Sequence, residues 1–268
     1  FCLTIGYLIK WRKKLNKEEF KTKPYLSVIA VVLIWIILPL IGFIPYYFYE
    51  SNLFNSIFQS FSSWTTTGFL VYNFNNLPEI IKFWASYQQW LGGLGIVTVL
   101  VFVLTQNDLI YKLVKLEGRE EMLEPTMKHT LITITKIYIL LTFFCTSILS
   151  FSGVDFKNSI YLAFSAIPTG GIASVDNLNI FQKYILTFFT ILGALSFSFY
   201  IALSKIEKRK ILIFRFENII WYISLIIIIS IFSLIFLDSD KLFHLLSAIT
   251  TSGYSYLNIE NFDTKVIF

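Results

Sequence analysis

The chain has 268 residues, is 56% hydrophobic and only 15% charged, and carries a formal charge of +5. Water-soluble domains hold roughly 25% charged residues, so with a mean hydropathy of +0.67 this composition excludes an ordinary soluble enzyme. It excludes a nucleic-acid-binding domain as well, because the basic residues form no groove interleaved with aromatics.

In chain order, Phe1–Ile9 reads as the tail of a further apolar span and the sequence as a fragment lacking both ends. A basic segment, Lys10–Lys23, follows. Five stretches then lack any charged side chain over a membrane-scale length: Leu26–Phe48, Phe83–Asn107, Ile137–Val154, Tyr184–Ser204 and Asn218–Leu237. A spanning helix needs about 20 apolar residues, so these predict an all-α integral membrane protein. Of the 22 Lys and Arg, 17 fall in Lys10–Lys23, Lys112–Lys136 and Lys205–Arg215. Basic loops stay on the cytoplasmic side, which places the intervening loops outside, in a multi-pass cell-membrane topology. Cys2 and Cys145 lie in separate apolar segments and read as small packing residues.

Each outward excursion is too long for a hairpin and carries the same pattern. Aligned on a glycine, the three copies are Ser62-Ser63-Trp64-Thr65-Thr66-Thr67-Gly68-Phe69, Ser165-Ala166-Ile167-Pro168-Thr169-Gly170-Gly171-Ile172 and Ser247-Ala248-Ile249-Thr250-Thr251-Ser252-Gly253-Tyr254. Upstream, Asn55, Asn158 and Asp240 align as expected helix N-caps. Phe58, Tyr161 and Phe243 align next, then Phe61, Phe164 and Leu246, one turn further on the same face. The pattern predicts a short re-entrant helix before each glycine, its apolar face packed on the surrounding spans. The negative end of such a helix favours a cation in the cavity it faces. The non-helical backbone that follows is tolerated at membrane depth only where it lines water or is buried in protein.

Glycine permits dihedrals that turn backbone carbonyls into a passage, and a ring of such carbonyls replaces the hydration shell of potassium. The expected ion-binding residues are therefore Thr66, Thr67, Gly68, Thr169, Gly170, Gly171, Thr251, Ser252 and Gly253, with Thr65, Thr250, Asn73, Asp176 and Asn258 as supports. Potassium at these residues is the only metal expected. The expected organisation is a hairpin end and link at 1–24, a first helix–pore loop–helix unit at 25–107, a link at 108–136, a second unit at 137–204, a link at 205–217 and a truncated third unit at 218–268. About two and a half to three units of a pseudo-symmetric four-unit pore are then present.

The run Gln88-Gln89-Trp90-Leu91-Gly92-Gly93-Leu94-Gly95 on the second span admits two readings, close helix packing and a direct part in gating. A multi-pass enzyme or sensor would need intramembrane carboxylates or histidines, and the five spans contain no Asp, Glu or His. No catalytic residue and no cofactor are expected in this chain.

With these motifs, Thr65-Thr66-Thr67-Gly68 followed by Gln89-Trp90-Leu91-Gly92-Gly93-Leu94-Gly95-Ile96, then Thr169-Gly170-Gly171 and Thr250-Thr251-Ser252-Gly253, the chain resembles the Trk/Ktr/HKT superfamily of cation transporters over nearly its whole length. The resemblance implies four units around one pore, potassium uptake, a homodimer in membrane lipid, and a cytoplasmic RCK-type ring that carries any nucleotide. It also implies a flexible gate on the second helix of the third unit, beyond Phe268. The basic loops serve topology and ring docking equally well. A sodium-permeable relative is the alternative; in the superfamily a serine at the first filter glycine marks sodium preference, and this chain has Gly68.

Overall fold

The computed structural model describes residues 24–106, 127–195 and 239–254. Among them the fold is helical, without a strand. Helix α1 (Pro24–Gly42) is interrupted for one residue at Phe43 and continues as α2 (Ile44–Glu50). The Phe43 N–H still bonds to the Pro39 carbonyl (3.0 Å), so the pair runs on as one rod. It stops at Ser51, in the left-handed region (φ 59°), whose N–H caps the Tyr47 carbonyl.

Three short helices stand at corresponding places: α3 (Leu53–Trp64), α6 (Phe156–Ala166) and α8 (Ser239–Ile249). Between the first two lie α4 (Glu79–Gln106) and α5 (Met127–Phe151), and α7 (Ile180–Ala194) precedes the third. At 1.5 Å per residue, α4 and α5 extend roughly 42 and 37 Å, longer than a hydrocarbon core of about 30 Å. Two stretches, Val32–Glu50 and Leu131–Phe151, are long and apolar enough to cross a membrane, and Ile180–Ala194 is a shorter apolar helix. The expected span 218–237 lies outside the described residues.

The short helices begin earlier than their N-cap columns suggest. Asn52 caps α3, its side chain accepting the Asn55 N–H (3.2 Å), and Asp155 caps α6, accepting the Lys157 N–H (3.1 Å). Asn55 and Asn158 therefore sit in the first turn, and α8 already includes Asp240. Two cap-competent residues stand three apart in each of the first two copies, and the chain uses the earlier one because it leaves the extended segment first.

Burial also departs from expectation. Helix α3 buries Ser56, Gln59, Ser60 and Ser63 and exposes Leu53, Phe54 and Phe58, so its apolar face is turned outward. Its counterparts in the other copies, Tyr161 and Phe243, are buried. The inversion continues on α1, where Ile29, Val32, Leu33 and Ile37 are exposed, while Gln88 and Gln89 of α4 are completely buried. Water disfavours such an apolar belt. In lipid the tails are as apolar as leucine, and the interior is where polar side chains find partners.

Packing follows a repeating order. Helix α3 lies between α1 and α4; α6 packs on α5, α4 and α7; and α8 packs on α7. The short helix of each later copy thus rests on the last long helix of the copy before it. The core between them contains Tyr46, Ala85, Tyr138, Cys145, Leu149, Leu162, Leu186 and Phe189. Cys145 is free and wholly buried, and Cys2 lies outside the described residues.

Candidate functional site

Each short helix runs into a turn of the same conformation. Thr66, Thr169 and Thr251 adopt left-handed dihedrals (φ 55°, 56° and 58°), and two residues later so do Gly68, Gly171 and Gly253 (φ 78°, 69° and 66°). Left-handed backbone is ordinary for glycine, but for a β-branched threonine it is an outlier that costs of order 1–3 kcal/mol. Threonine stands there in all three turns. The sequence reading assigned the unusual dihedrals to the glycines; that the threonines share them is visible only in the structure.

The turns are held from their convex side by the aligned serines. The Ser62, Ser165 and Ser247 carbonyls accept N–H bonds from Thr67 (3.0 Å), Gly170 (2.9 Å) and Ser252 (3.0 Å). The carbonyls of Ser63, Ala166 and Ala248 accept from the left-handed threonines (3.2, 3.0 and 3.0 Å). The serine hydroxyls strap the far side: Ser62 Oγ donates to Phe69 O (2.7 Å), Ser247 Oγ to Tyr254 O (3.2 Å), and Ser165 Oγ accepts the Ala173 N–H (3.3 Å). The N–H groups of Thr66, Thr67, Gly68, Thr169, Gly170, Thr251, Ser252 and Gly253 are therefore directed backward. The carbonyls of Thr66, Thr67, Thr169, Gly170, Thr251 and Ser252 accept no hydrogen bond among the described residues.

The three turns meet in sequence. A Cβ placed on Gly68 would fall well inside contact distance of the Gly170 carbonyl oxygen, and one on Gly171 would do the same against the Ser252 carbonyl oxygen. The equivalent position on Gly253 meets nothing within 4 Å among the described residues. Beyond the glycines opens a cavity of about 390 Å³ lined from all three turns, including Gly68, Gly171, Gly253, Asn73 and Asp176. Its rim is tied across copies, because Asn75 Nδ2 donates to Asp176 Oδ2 (2.7 Å), which also accepts from Ser174 Oγ (2.8 Å). Asn73 acts locally: its side chain accepts the Asn75 N–H (3.1 Å) and starts the short 3₁₀ turn Phe74–Asn76. Asn258 lies outside the described residues. At the N-terminal end of α4, the Lys82 ammonium (3.0 Å) holds the Glu79 carboxyl below the usual carboxylate range. Among the described residues no cluster of His, Cys, Asp and Glu could hold a metal.

Thr65 and Thr250 support their turns from within. Each hydroxyl returns to a carbonyl one helical turn back, Thr65 to Phe61 (2.8 Å) and Thr250 to Leu246 (2.9 Å). Each also meets the hydroxyl two residues on, that of Thr67 (2.8 Å) or Ser252 (3.1 Å). The second turn has Pro168 and Gly170 at these places and lacks both links.

Behind the first turn, buried polar side chains form a connected set. Tyr46 OH donates to Gln88 Oε1 (2.7 Å) and lies 3.3 Å from Ser63 Oγ. Gln88 Nε2 donates to Gly42 O (3.0 Å) and Ser60 Oγ (3.1 Å), and Ser60 Oγ reaches Pro39 O (2.8 Å). Nothing in the sequence pattern singles out Tyr46. Replacing it with Phe strands the Gln88 acceptor, a loss of about 1–3 kcal/mol. Tyr46→Phe is expected to lower the unfolding temperature of the detergent-solubilised protein; an unchanged midpoint would mean that water replaces the phenol.

Within the Gln-Trp-Leu-Gly-Gly run, Trp90 and the two glycines make close packing contacts. Trp90 stacks on Phe164 of α6 (5.2 Å between centroids) and donates from Nε1 to Thr142 Oγ1 (3.0 Å), while its carbonyl accepts from Tyr138 OH (2.9 Å). A Cβ on Gly92 would strike the Trp64 carbonyl at the end of α3, and one on Gly93 would press on Pro168. Gly193 on α7 stands in the same relation to the Ile167 carbonyl just past α6. Sequence reading overlooked Gly193, whose signal is the short Gly193-Ala194 pair in an otherwise bulky helix.

Residues 1–236 match the family model TrkH, described as "Cation transport protein", and the chain belongs to this family. An uncharacterized cation transporter of Methanocaldococcus jannaschii is 33% identical, covering 100% of this chain and 57% of its own length. The Trk system potassium uptake protein TrkH of Escherichia coli (strain K12) is 31% identical over 65% of this chain and 38% of its own. The crystal structure of the potassium transporter TrkH from Vibrio parahaemolyticus superposes with a TM-score of 0.69 at 21% identity, covering 94% of this chain and 55% of that one. This chain accordingly spans about half the length of such relatives.

Proposed function

We propose that the protein takes up potassium across the cell membrane, and that the three turns form part of its carbonyl-lined selectivity filter. One observation carries the reading: in three adjoining turns the hydrogen-bonded N–H groups point backward, and the carbonyls around two left-handed residues have no donor among the described residues. Backbone acceptors withheld from protein donors must be satisfied by water or a cation. Alternating left-handed residues with their neighbours turns successive peptide planes to one side, and such rows of carbonyls replace the hydration shell of an ion.

In this proposal the units surround one pore, with the cavity beyond Gly68, Gly171 and Gly253 as the outer vestibule and the basic loops in the cytoplasm. A fourth segment closes the ring beside Gly253, where a Cβ would meet nothing within 4 Å among the described residues. Gly68 at the first filter position supports potassium over sodium. Inward movement needs no chemical step, because the membrane potential supplies about 2.3 kcal/mol per charge per 100 mV. A second copy and an RCK-type regulator that holds any nucleotide complete the proposed assembly. Segments 10–23 and 205–215, which would meet such a regulator, lie outside the described residues.

Expression of the full-length protein in a host lacking potassium uptake is expected to restore growth at low potassium and to drive rubidium uptake that exceeds sodium uptake. Protein present in the membrane without such uptake would overturn the assignment.

A further inference from the structure

Two of the three turns are pinned by their own hydroxyls, and the second is not. Thr67 meets Thr65 (2.8 Å), and Ser252 reaches Thr250 (3.1 Å) and the Ser247 carbonyl (3.2 Å). Pro168 and Gly170 offer nothing equivalent, yet the second turn keeps the same left-handed dihedrals.

The space beside Gly170 is filled from another copy. Gln89, on α4 of the first, is completely buried, and a Cβ on Gly170 would collide with its Nε2, Cδ and Cγ. Gln89 Oε1 accepts the Ile172 N–H (3.3 Å), just past Gly171. Its Nε2 is buried without a hydrogen-bond partner among the described residues and lies 3.6 Å from where a Gly68 Cβ would be. One amide thus bonds to the second turn by one end, while its unsatisfied end lies against Gly170 and near Gly68. An unsatisfied buried amide in a native fold calls for a reason; here it is the place the side chain must occupy.

Resting on the reading of these turns as a filter, we propose that Gln89 is a positioning residue for selectivity, standing in for the side chain that Gly170 lacks and setting the spacing between the first and second turns. Gln89 and Gly170 are then a coupled pair. Gly170 does not adopt a positive φ, so a serine there is obstructed by Gln89 and not by its own backbone.

The test uses the full-length protein in cells lacking potassium uptake, with rubidium and sodium uptake measured side by side and normalised to protein in the membrane. Gln89→Met keeps the volume and removes the acceptor. It should lower the rubidium-to-sodium ratio roughly three- to tenfold, the scale of one buried hydrogen bond. Gly170→Ser alone should abolish uptake, and Gln89→Ala with Gly170→Ser should restore it in part. An unchanged ratio in Gln89→Met, or a double variant no better than Gly170→Ser, overturns the role of Gln89 while the filter reading stands. A parent protein without selective rubidium uptake overturns the filter reading itself.

Discussion

Gly68→Ser in the full-length protein should lower rubidium uptake and raise relative sodium uptake by about tenfold or more, the change that follows from ~1.4 kcal/mol of lost discrimination. Two effects act together. Gly68 is left-handed (φ 78°), a conformation in which a side chain crowds the backbone. The new Cβ would also run into the Gly170 carbonyl oxygen, one of the six acceptors with no donor among the described residues. Relief requires that carbonyl to move, which in the proposed filter changes the oxygen geometry offered to the ion. Gly153→Ala supplies the control: Gly153 is likewise left-handed (φ 96°) but has no neighbour within 4 Å of a Cβ among the described residues. It should cost stability and leave the ion ratio alone. Equal ratios in parent and Gly68→Ser, at matched membrane abundance, would remove Gly68 from the filter.

Gly92→Val should act on folding instead. The carbonyl of Trp64 occupies the place of the first side-chain atom, and backbone cannot rotate away as a flexible side chain can. Overpacking a tight interior costs typically 1–3 kcal/mol, and a valine pressed on a helix end belongs at the upper end of that range. The expected readout is a lower unfolding temperature in detergent and less protein in the membrane, with unchanged ion preference in the fraction that folds. Gly193→Val, against the Ile167 carbonyl, should behave alike. An undiminished midpoint in both variants would show that α4 and α7 can shift away from the short helices at little cost.

The helical class, the apolar spans and the three aligned Ser-Thr-Gly turns are legible in one dimension because each rests on a local property: hydropathy over a helix length, or a residue that tolerates an unusual φ. Aligned columns were less reliable where the property is shared by neighbours. Asn52 and Asn55 can both cap α3, and only the backbone path selects Asn52. Phe58 and Phe243 align, yet one is exposed and the other buried, since burial depends on what stands opposite each helix.

The linear pattern accordingly specified which segments repeat and that Gly68, Gly171 and Gly253 carry unusual backbone, but not that Thr66, Thr169 and Thr251 share it. Tertiary packing decided the rest: that Gly68 abuts Gly170 and Gly171 abuts Ser252, that Gly92 and Gly193 admit the carbonyls ending the short helices, and that Gln89 and Tyr46 brace turns far from them in sequence. The reason is physical. A dihedral preference belongs to one residue and its neighbours. A missing Cβ or a buried amide takes its meaning from atoms that another segment brings within about 4 Å.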